Sequence, residues 1–140
     1  MMTSVNVTGR RGREDPRAIA AQHWAEIPDW VSVVADECWR STNVAVAERL
    51  GYKGGSVISQ VLRADYPGDI AGVEARVRGA FMGLRVDCPA LDGMDIPRDR
   101  CLREQEMPRT TASPQRMRFY RTCRSGCPHS RIKGVDDAAL

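Results

Sequence analysis

The chain has 140 residues, of which 42% are hydrophobic and 6% aromatic, and its formal net charge is +3. This length is sufficient for one globular domain with a small additional module. No stretch approaches the roughly 20 consecutive apolar residues that a membrane span requires, and the N-terminus has no apolar segment behind a basic start. These features exclude a membrane-spanning protein and predict a soluble, cytoplasmic one, in which thiols stay reduced.

The N-terminal residues 1–15 contain a basic, glycine-spaced run, Gly-Arg-Arg-Gly-Arg, at positions 9–13. The run has nothing apolar to pack, so we expect a disordered basic arm. Two interpretations remain open, a solvated tail or an arm that contacts DNA phosphates. At the opposite end of the chain, residues 134–140 are predicted to form a frayed tail.

Apolar residues at helical spacing predict a mostly α-helical domain over residues 16–84. Helices are expected at 18–24, 29–39, 44–50, 56–63 and 69–83. The helix at 29–39 is expected to bury Trp30, Val31, Val34, Ala35 and Cys38. The next is expected to bury Val44, Ala47 and Leu50, and the last Ile70, Val73, Val77, Ala80, Phe81 and Leu84.

Capping residues mark the ends of these helices. The polar residues 41–43 offer N-cap side chains ahead of the helix at 44–50, and Gly51 supplies the left-handed conformation that ends it. Asp69 is a further N-cap, after the Tyr-Pro-Gly break at 66–68. On the exposed face of the last helix, an ordinary solvated surface is predicted for Glu74, Arg76 and Arg78.

Residues 47–62 read as two short helices joined by a glycine turn, which is typical of a helix-turn-helix. In the second helix the apolar face contains Val57, Ile58, Val61 and Leu62, and the candidate DNA-binding residues are Lys53, Ser56, Ser59, Gln60 and Arg63. These polar residue types hydrogen-bond base edges and phosphates. Gln60 is the candidate for reading adenine, whereas Lys53 and Arg63 suit phosphate or guanine.

Residues 28–84 contain, in order, a helix, the motif Ala-x-x-Leu-Gly, a turn, the motif Val-Ile-Ser-x-Val-Leu and a closing helix. This order resembles the Cro/repressor-type (lambda-repressor-like) helix-turn-helix family. Ala47, Leu50 and Gly51 match the family's second helix, and Ile58 and Ser59 match its recognition helix. The resemblance implies a transcriptional regulator that binds double-stranded DNA, as a homodimer, with the recognition helix in the major groove.

A second resemblance would cover most of the chain. Its motifs are Gly-Tyr, Ser-Gln-Val-Leu, Val-x-Gly-Ala-Phe-Met-Gly, Val-Asp-Cys-Pro and Cys-Arg-x-Gly-Cys-Pro-His-Ser. Together they resemble regulator-like proteins of Mu-like prophages. This resemblance implies a phage or prophage regulator.

The turn at residues 52–56 departs from the Cro/repressor pattern because it is one residue longer. If Val57 instead of Ile58 fills the buried position, the polar face rotates by about 100°. A protein-protein adaptor built on the same helices also remains open, because a fold does not determine a function.

A domain boundary is predicted near residue 85, where prolines begin to interrupt the pattern. Helix-compatible segments are limited to 98–106 and 115–122 within an otherwise irregular module at 85–133. Residues 98–133 contain ten Arg or Lys against three Asp or Glu, a balance of about +7. This module could add phosphate contacts.

The same module contains four of the five cysteines, and the candidate metal ligands are Cys88, Cys101, Cys123 and Cys127. Four thiolates can enclose one structural zinc, and metal binding can stabilise a region with few large apolar residues. The Cys-Pro pairs at 88–89 and 127–128 are also typical of iron-sulfur ligation, so an iron-sulfur redox sensor remains an alternative. Unliganded thiols or disulfides remain open as well. His129 is either a substitute ligand or an exposed loop residue.

Catalysis is not predicted. The chain has two histidines and no nucleophile elbow, and Lys53 precedes the glycines at 54–55 instead of following them, as a phosphate loop requires. His23 is expected to be structural or exposed. No small-molecule substrate is evident, so we expect a binding protein and not an enzyme.

Overall fold

The computed structural model describes residues 14–132. The predicted basic arm, apart from residues 14 and 15, and the predicted tail lie outside the described residues. The described part is mostly α-helical, as the sequence predicts, and divides into two compact units after Val77. We call residues 14–77 the N-terminal unit and residues 78–132 the C-terminal unit. Within the described part, every helix is too short or too polar to cross a membrane.

Five helices begin in the N-terminal unit, and two of them begin at predicted N-caps. They are α1 (Pro16–His23), α2 (Asp29–Arg40), α3 (Asn43–Leu50), α4 (Ser56–Leu62) and α5 (Ile70–Phe81). Thr42 Oγ1 accepts from the backbone N–H of Ala45 at 3.0 Å. Asp69 Oδ1 accepts from the backbone N–H of Gly72 at 3.1 Å. Gly51 ends α3 with a φ of 92°, so both the caps and the glycine stop are confirmed.

The core of the N-terminal unit is aliphatic, with one tryptophan. Its most deeply buried side chains include Trp30, Val31, Val34, Ala35, Cys38, Leu50, Ile58, Val61, Leu62 and Val73. The predictions for α2 are confirmed, but Val44 is 49% exposed and Val46 is buried in its place. Both residues fit helical spacing on so short a helix, so the packing of α3 decides between them. Ile70 and Leu84 were also wrongly predicted to be buried, because both lie beyond the packed middle of the last helix.

Arg76 is buried, although the sequence predicts a solvated surface position. Only 6% of the residue is exposed, and its Nη1 donates to the carbonyl oxygen of Leu50 at 3.0 Å. Its guanidinium also lies 5.1 Å from the centre of the Tyr52 ring. The last carbonyls of a helix have no partner within the helix, and Arg76 supplies one to the end of α3. It thereby connects α5 to the turn that precedes α4.

The C-terminal unit is not irregular as predicted. It contains an antiparallel pair, β1 (Arg85–Cys88) and β2 (Met94–Pro97), and two helices, α6 (Arg98–Glu106) and α7 (Pro114–Cys123). Val86 lies opposite Ile96 in the pair. The strands are joined by a 3-10 helix, Pro89–Leu91, and by the Asp-Gly pair at 92–93, where both residues have positive φ. The Asp-Gly pair is a turn signal in the sequence, but it does not predict the 3-10 helix that separates it from β1.

Gly79 allows the C-terminal end of α5 to approach the start of α6 closely. A Cβ atom at this position would lie 2.2 Å from the backbone nitrogen of Asp99 and 2.9 Å from backbone atoms of Arg98. Backbone atoms cannot move aside as a flexible side chain can, so a residue with a side chain does not fit here. Glycine at position 79 is therefore required by the packing of this unit.

Candidate functional site

The helix α4 is anchored by its apolar side. Ile58 and Val61 are completely buried, while Val57 is only half-buried, so Ile58 fills the buried position. The indole nitrogen of Trp24 donates to the carbonyl oxygen of Val61 at 3.0 Å and holds the last turn of α4. The register question raised by the longer turn is therefore answered in favour of Ile58.

The five candidate DNA-binding residues lie along α4 and in the turn before it. Lys53, Ser56 and Arg63 are exposed, whereas Ser59 and Gln60 are half-buried. Arg63 Nη1 donates to Ser59 Oγ at 2.5 Å, one helical turn away. The guanidinium has five N–H groups, so this bond leaves donors for a ligand.

An open cleft of about 360 Å³ borders the polar side of α4. Ser59 and Arg63 line it from α4, and Thr42, Asn43 and Val44 line it from the start of α3. Glu14 contributes a carboxylate to the same lining. The sequence analysis did not connect the start of α3 with α4, because this proximity depends on how the two helices cross.

The four candidate metal ligands come from four parts of the C-terminal unit. Cys88 ends β1, Cys101 lies in the first turns of α6, Cys123 ends α7, and Cys127 lies in the loop that follows. All four line one cavity of about 10 Å³. All five cysteines of the chain are free thiols, and Cys38 belongs to the core of α2, as predicted.

Two side chains of α6 donate to the sulfur of Cys101. The Arg98 Nη1 atom lies 3.2 Å from Cys101 Sγ, and the Gln105 Nε2 atom lies 3.5 Å from it. Both groups also donate to the carbonyl oxygen of His129, at 2.9 and 3.3 Å. Gln105 Oε1 accepts from the backbone N–H of Arg131 at 2.8 Å. These bonds hold the loop that carries Cys127 against α6.

Burial and neighbouring thiols raise the pKa of two of the cysteines, Cys123 and Cys101. The pKa of Cys123 is raised to about 11, mainly by burial. Further causes in the same direction are, in decreasing order, Cys127, Cys101 and Cys88. Burial also raises the pKa of Cys101, and the positive charge of Arg98 opposes that rise. The four thiols are thus close enough to interact electrostatically.

The arrangement of the candidate ligands and the positions of the two histidines do not provide a complete metal site. Among residues 14–132, no three His, Cys, Asp or Glu side chains form a group arranged to hold a metal ion. His129 is half-buried and borders the cysteine cavity, and the hydrogen bonds to it described above reach its backbone oxygen. His23 is exposed, with its Nδ1 atom 2.9 Å from the carbonyl oxygen of Ile19.

Arg98 and Gln105 were not among the predicted residues of the cysteine site. Both lie on the helix of Cys101, three residues before it and four residues after it. Residues at these spacings share a helix face, so the helical periodicity could have identified them. The contacts with His129 could not have been identified in this way, because they join distant parts of the chain.

The chain matches no protein-family model, no curated protein and no solved structure. The fold and the two sites therefore carry the functional argument. They define a mostly helical protein with a polar helix face in one unit and a four-thiol cavity in the other.

Proposed function

We propose that the chain is a sequence-specific, double-stranded DNA-binding transcriptional regulator of phage or prophage type that acts in the cytoplasm and without catalysis. The observation that carries this proposal is the two-sided environment of α4. Three of its apolar residues are buried, and its polar residues are uncharged hydrogen-bonding groups, with Arg63 at its end. The buried residues are Ile58, Val61 and Leu62, and the polar ones are Ser56, Ser59 and Gln60. The helix contains no carboxylate that would repel phosphates.

In the proposed complex, α4 enters the major groove with its first residues towards the bases. Gln60 would read adenine through its amide group. Lys53 and Arg63 would contact phosphate or guanine from the turn and from the end of the helix. The hydrogen bond from Arg63 to Ser59 supports this role, because it restricts the guanidinium before DNA binds.

The cleft beside α4 supports a contact surface wider than one helix. Asn43 and Thr42 at the start of α3 line the same cleft as Ser59 and Arg63, so a phosphate backbone passing there would meet both helices. The carboxylate of Glu14 in the same lining opposes this contact. Residues 98–133 contain ten basic and three acidic residues. This charge of about +7 would add a sequence-independent attraction to DNA. A homodimer on a two-fold operator is part of this proposal, by resemblance to Cro/repressor-type regulators.

Fluorescence anisotropy with labelled duplexes tests the proposal. The full chain should bind random duplex at low salt, lose affinity steeply as salt rises, and select a preferred sequence from a random pool. Lys53→Ala and Arg63→Ala should weaken binding to both kinds of duplex and reduce the salt slope by about 1 each. Gln60→Ala should weaken the preferred duplex roughly tenfold and leave random duplex unchanged.

The matched control is Arg85→Ala, which removes an exposed arginine from the hairpin, where it pairs with Asp95. It should leave both affinities close to those of the unchanged chain. A folded chain that binds no duplex at low salt would contradict the proposal. So would equal losses for Arg85→Ala and Arg63→Ala.

A protein-binding adaptor is the second candidate function, because Val44 is 49% exposed in the cleft beside α4. An exposed aliphatic side chain next to hydrogen-bonding groups suits a protein surface better than a phosphate. Val44→Ser distinguishes the two functions. Under the DNA proposal, duplex affinity should fall much less with Val44→Ser than with Arg63→Ala.

A further inference from the structure

We propose that Cys88, Cys101, Cys123 and Cys127 together hold one zinc ion in a closed, structural tetrathiolate site. Zinc favours four sulfur ligands in a tetrahedron, and a site with four protein ligands has no open position for substrate. The four cysteines belong to the C-terminal unit, whereas the proposed recognition helix α4 belongs to the N-terminal unit.

The convergence of the four thiols is the first argument. They are separated by up to 39 positions in sequence, from 88 to 127, yet all four line the same cavity. A strand end, a helix, a helix end and a loop must each bring one cysteine there. No three of these thiols are arranged as a ligand group among residues 14–132, so the proposal requires rotamer changes at the cavity. A cysteine sulfur is positioned by a single side-chain torsion, so such changes involve one torsion for each ligand.

The lining of the cavity is compatible with a metal bound through sulfur. Beside the four cysteines it contains two buried apolar side chains, Ile96 of the hairpin and Phe119 of α7. Four sulfur ligands in a tetrahedron suit zinc, and they also suit iron-sulfur clusters. A cluster is therefore the alternative occupant, and the iron and sulfide content of the chain distinguishes it from zinc.

The surroundings of Cys101 provide the second argument. Metal-bound thiolates are oriented by hydrogen bonds from neighbouring groups, and Arg98 and Gln105 already donate to this sulfur. Four thiolates around Zn²⁺ leave a formal excess of negative charge, which the guanidinium of Arg98 offsets. The same two side chains hold His129 through its carbonyl oxygen, and this places the loop of Cys127 beside Cys101.

The small core of the C-terminal unit provides the third argument. Its buried cluster consists of Cys88, Ala90, Ile96, Cys101 and Phe119, so cysteines occupy two of its five positions. A core with so few large apolar side chains gains little from burial alone. A zinc ion would connect β1, α6, α7 and the following loop at one point.

The test is the metal content of the full chain, purified without added chelator from zinc-containing medium. We expect about one zinc per chain by elemental analysis. After the zinc is exchanged for Co²⁺, we expect the visible absorption of tetrahedral cobalt with sulfur-to-metal charge-transfer bands. This measurement uses the unchanged chain, so it does not depend on whether any variant folds.

Serine variants assign the ligands. Each of the changes Cys88→Ser, Cys101→Ser, Cys123→Ser and Cys127→Ser should lower bound zinc to well below half an equivalent or alter the cobalt spectrum. The matched control is Cys38→Ser, which changes the one buried cysteine of the other unit and should keep the full zinc content and the same spectrum. Equal zinc loss in Cys38→Ser and Cys101→Ser would overturn the assignment.

Two results with the unchanged chain would also overturn the proposal. One is a folded chain with neither zinc nor cobalt bound. The other is iron with accompanying sulfide and a brown colour, which would replace zinc by a cluster.

The supporting role of Arg98 has its own readout. Arg98→Met should lower Co²⁺ affinity by roughly 10- to 100-fold while keeping the tetrathiolate spectrum. Arg118→Met, which changes an exposed arginine of α7 that pairs with the exposed Asp92, should leave the affinity unchanged. Equal affinities for the two variants would show that Arg98 does not support the site.

Discussion

The N-terminal unit buries mainly aliphatic side chains together with Cys38 and Arg76, whereas the C-terminal unit buries several thiols and carboxylates. Leu50, Ile58 and Val34 are completely buried in the former. In the latter, Asp99 and Glu104 are buried, with 4% and 8% of their surfaces exposed. The two units therefore differ in which side chains make up their interiors, and we expect their stabilities to respond to different substitutions.

The buried carboxylates of the C-terminal unit accept hydrogen bonds from arginines that are themselves partly exposed. Glu104 accepts from Arg116 Nη1 at 2.7 Å and from Arg100 Nε at 3.5 Å. Asp99 accepts from Arg103 Nη2 at 2.6 Å. A buried carboxylate is costly without such partners. We therefore expect the stability of the N-terminal unit to fall when a buried side chain is made smaller. We expect the stability of the C-terminal unit to fall when a hydrogen-bond partner is removed or when two backbone segments can no longer approach closely.

The largest effect is expected for Ile58→Ala in the N-terminal unit. Removing a completely buried side chain leaves a cavity, and the expected loss in the free energy of unfolding is about 2–5 kcal/mol. Urea unfolding followed by circular dichroism measures it. Val57→Ala, at the half-buried neighbouring position, is the control and should cost much less. Equal losses would mean that α4 has the alternative register.

A smaller effect is expected for Gly79→Ala in the C-terminal unit. Its Cβ would clash with the backbone of Asp99, and overpacking of this kind costs about 1–3 kcal/mol, occasionally more. Hydrogen exchange should show the loss of protection at the start of α6. Gly83→Ala is the control because it adds a Cβ into open space at a φ of +77°, so only backbone strain changes. If the control loses as much protection, the close approach is not what requires Gly79.

The smallest effect is expected for Arg116→Met. It removes the closer partner of the buried Glu104 carboxylate. The loss of a hydrogen bond to a charged group lowers the free energy of unfolding by about 1–3 kcal/mol. We expect the lower end of this range, because Arg116 is partly exposed and Arg100 remains as a second partner. Arg118→Met removes the exposed pair with Asp92 and should cost nothing measurable. Thermal unfolding of both variants gives the difference. Indistinguishable midpoints would show that burial of Glu104 does not matter to this unit.

The sequence by itself determined the helices and their ends. Residues 98–106 were predicted to be helix-compatible and form α6 with those bounds, and α2 ends one residue beyond its predicted end. Caps such as Thr42 and Asp69 and stops such as Gly51 act within a few residues, so local sequence contains the information. The types of residue on the two faces of α4 were predictable for the same reason.

Only the tertiary structure decided which residues from distant parts of the chain meet. The burial of Arg76 depends on a carbonyl 26 positions away at Leu50. The pairing of β1 with β2 and the meeting of four cysteines in one cavity depend likewise on contacts between separate elements. Spacing along the chain predicted which residues could bind a metal, but not that they converge. Such contacts depend on how all elements of a unit pack together. The local periodicity of the sequence therefore does not predict them.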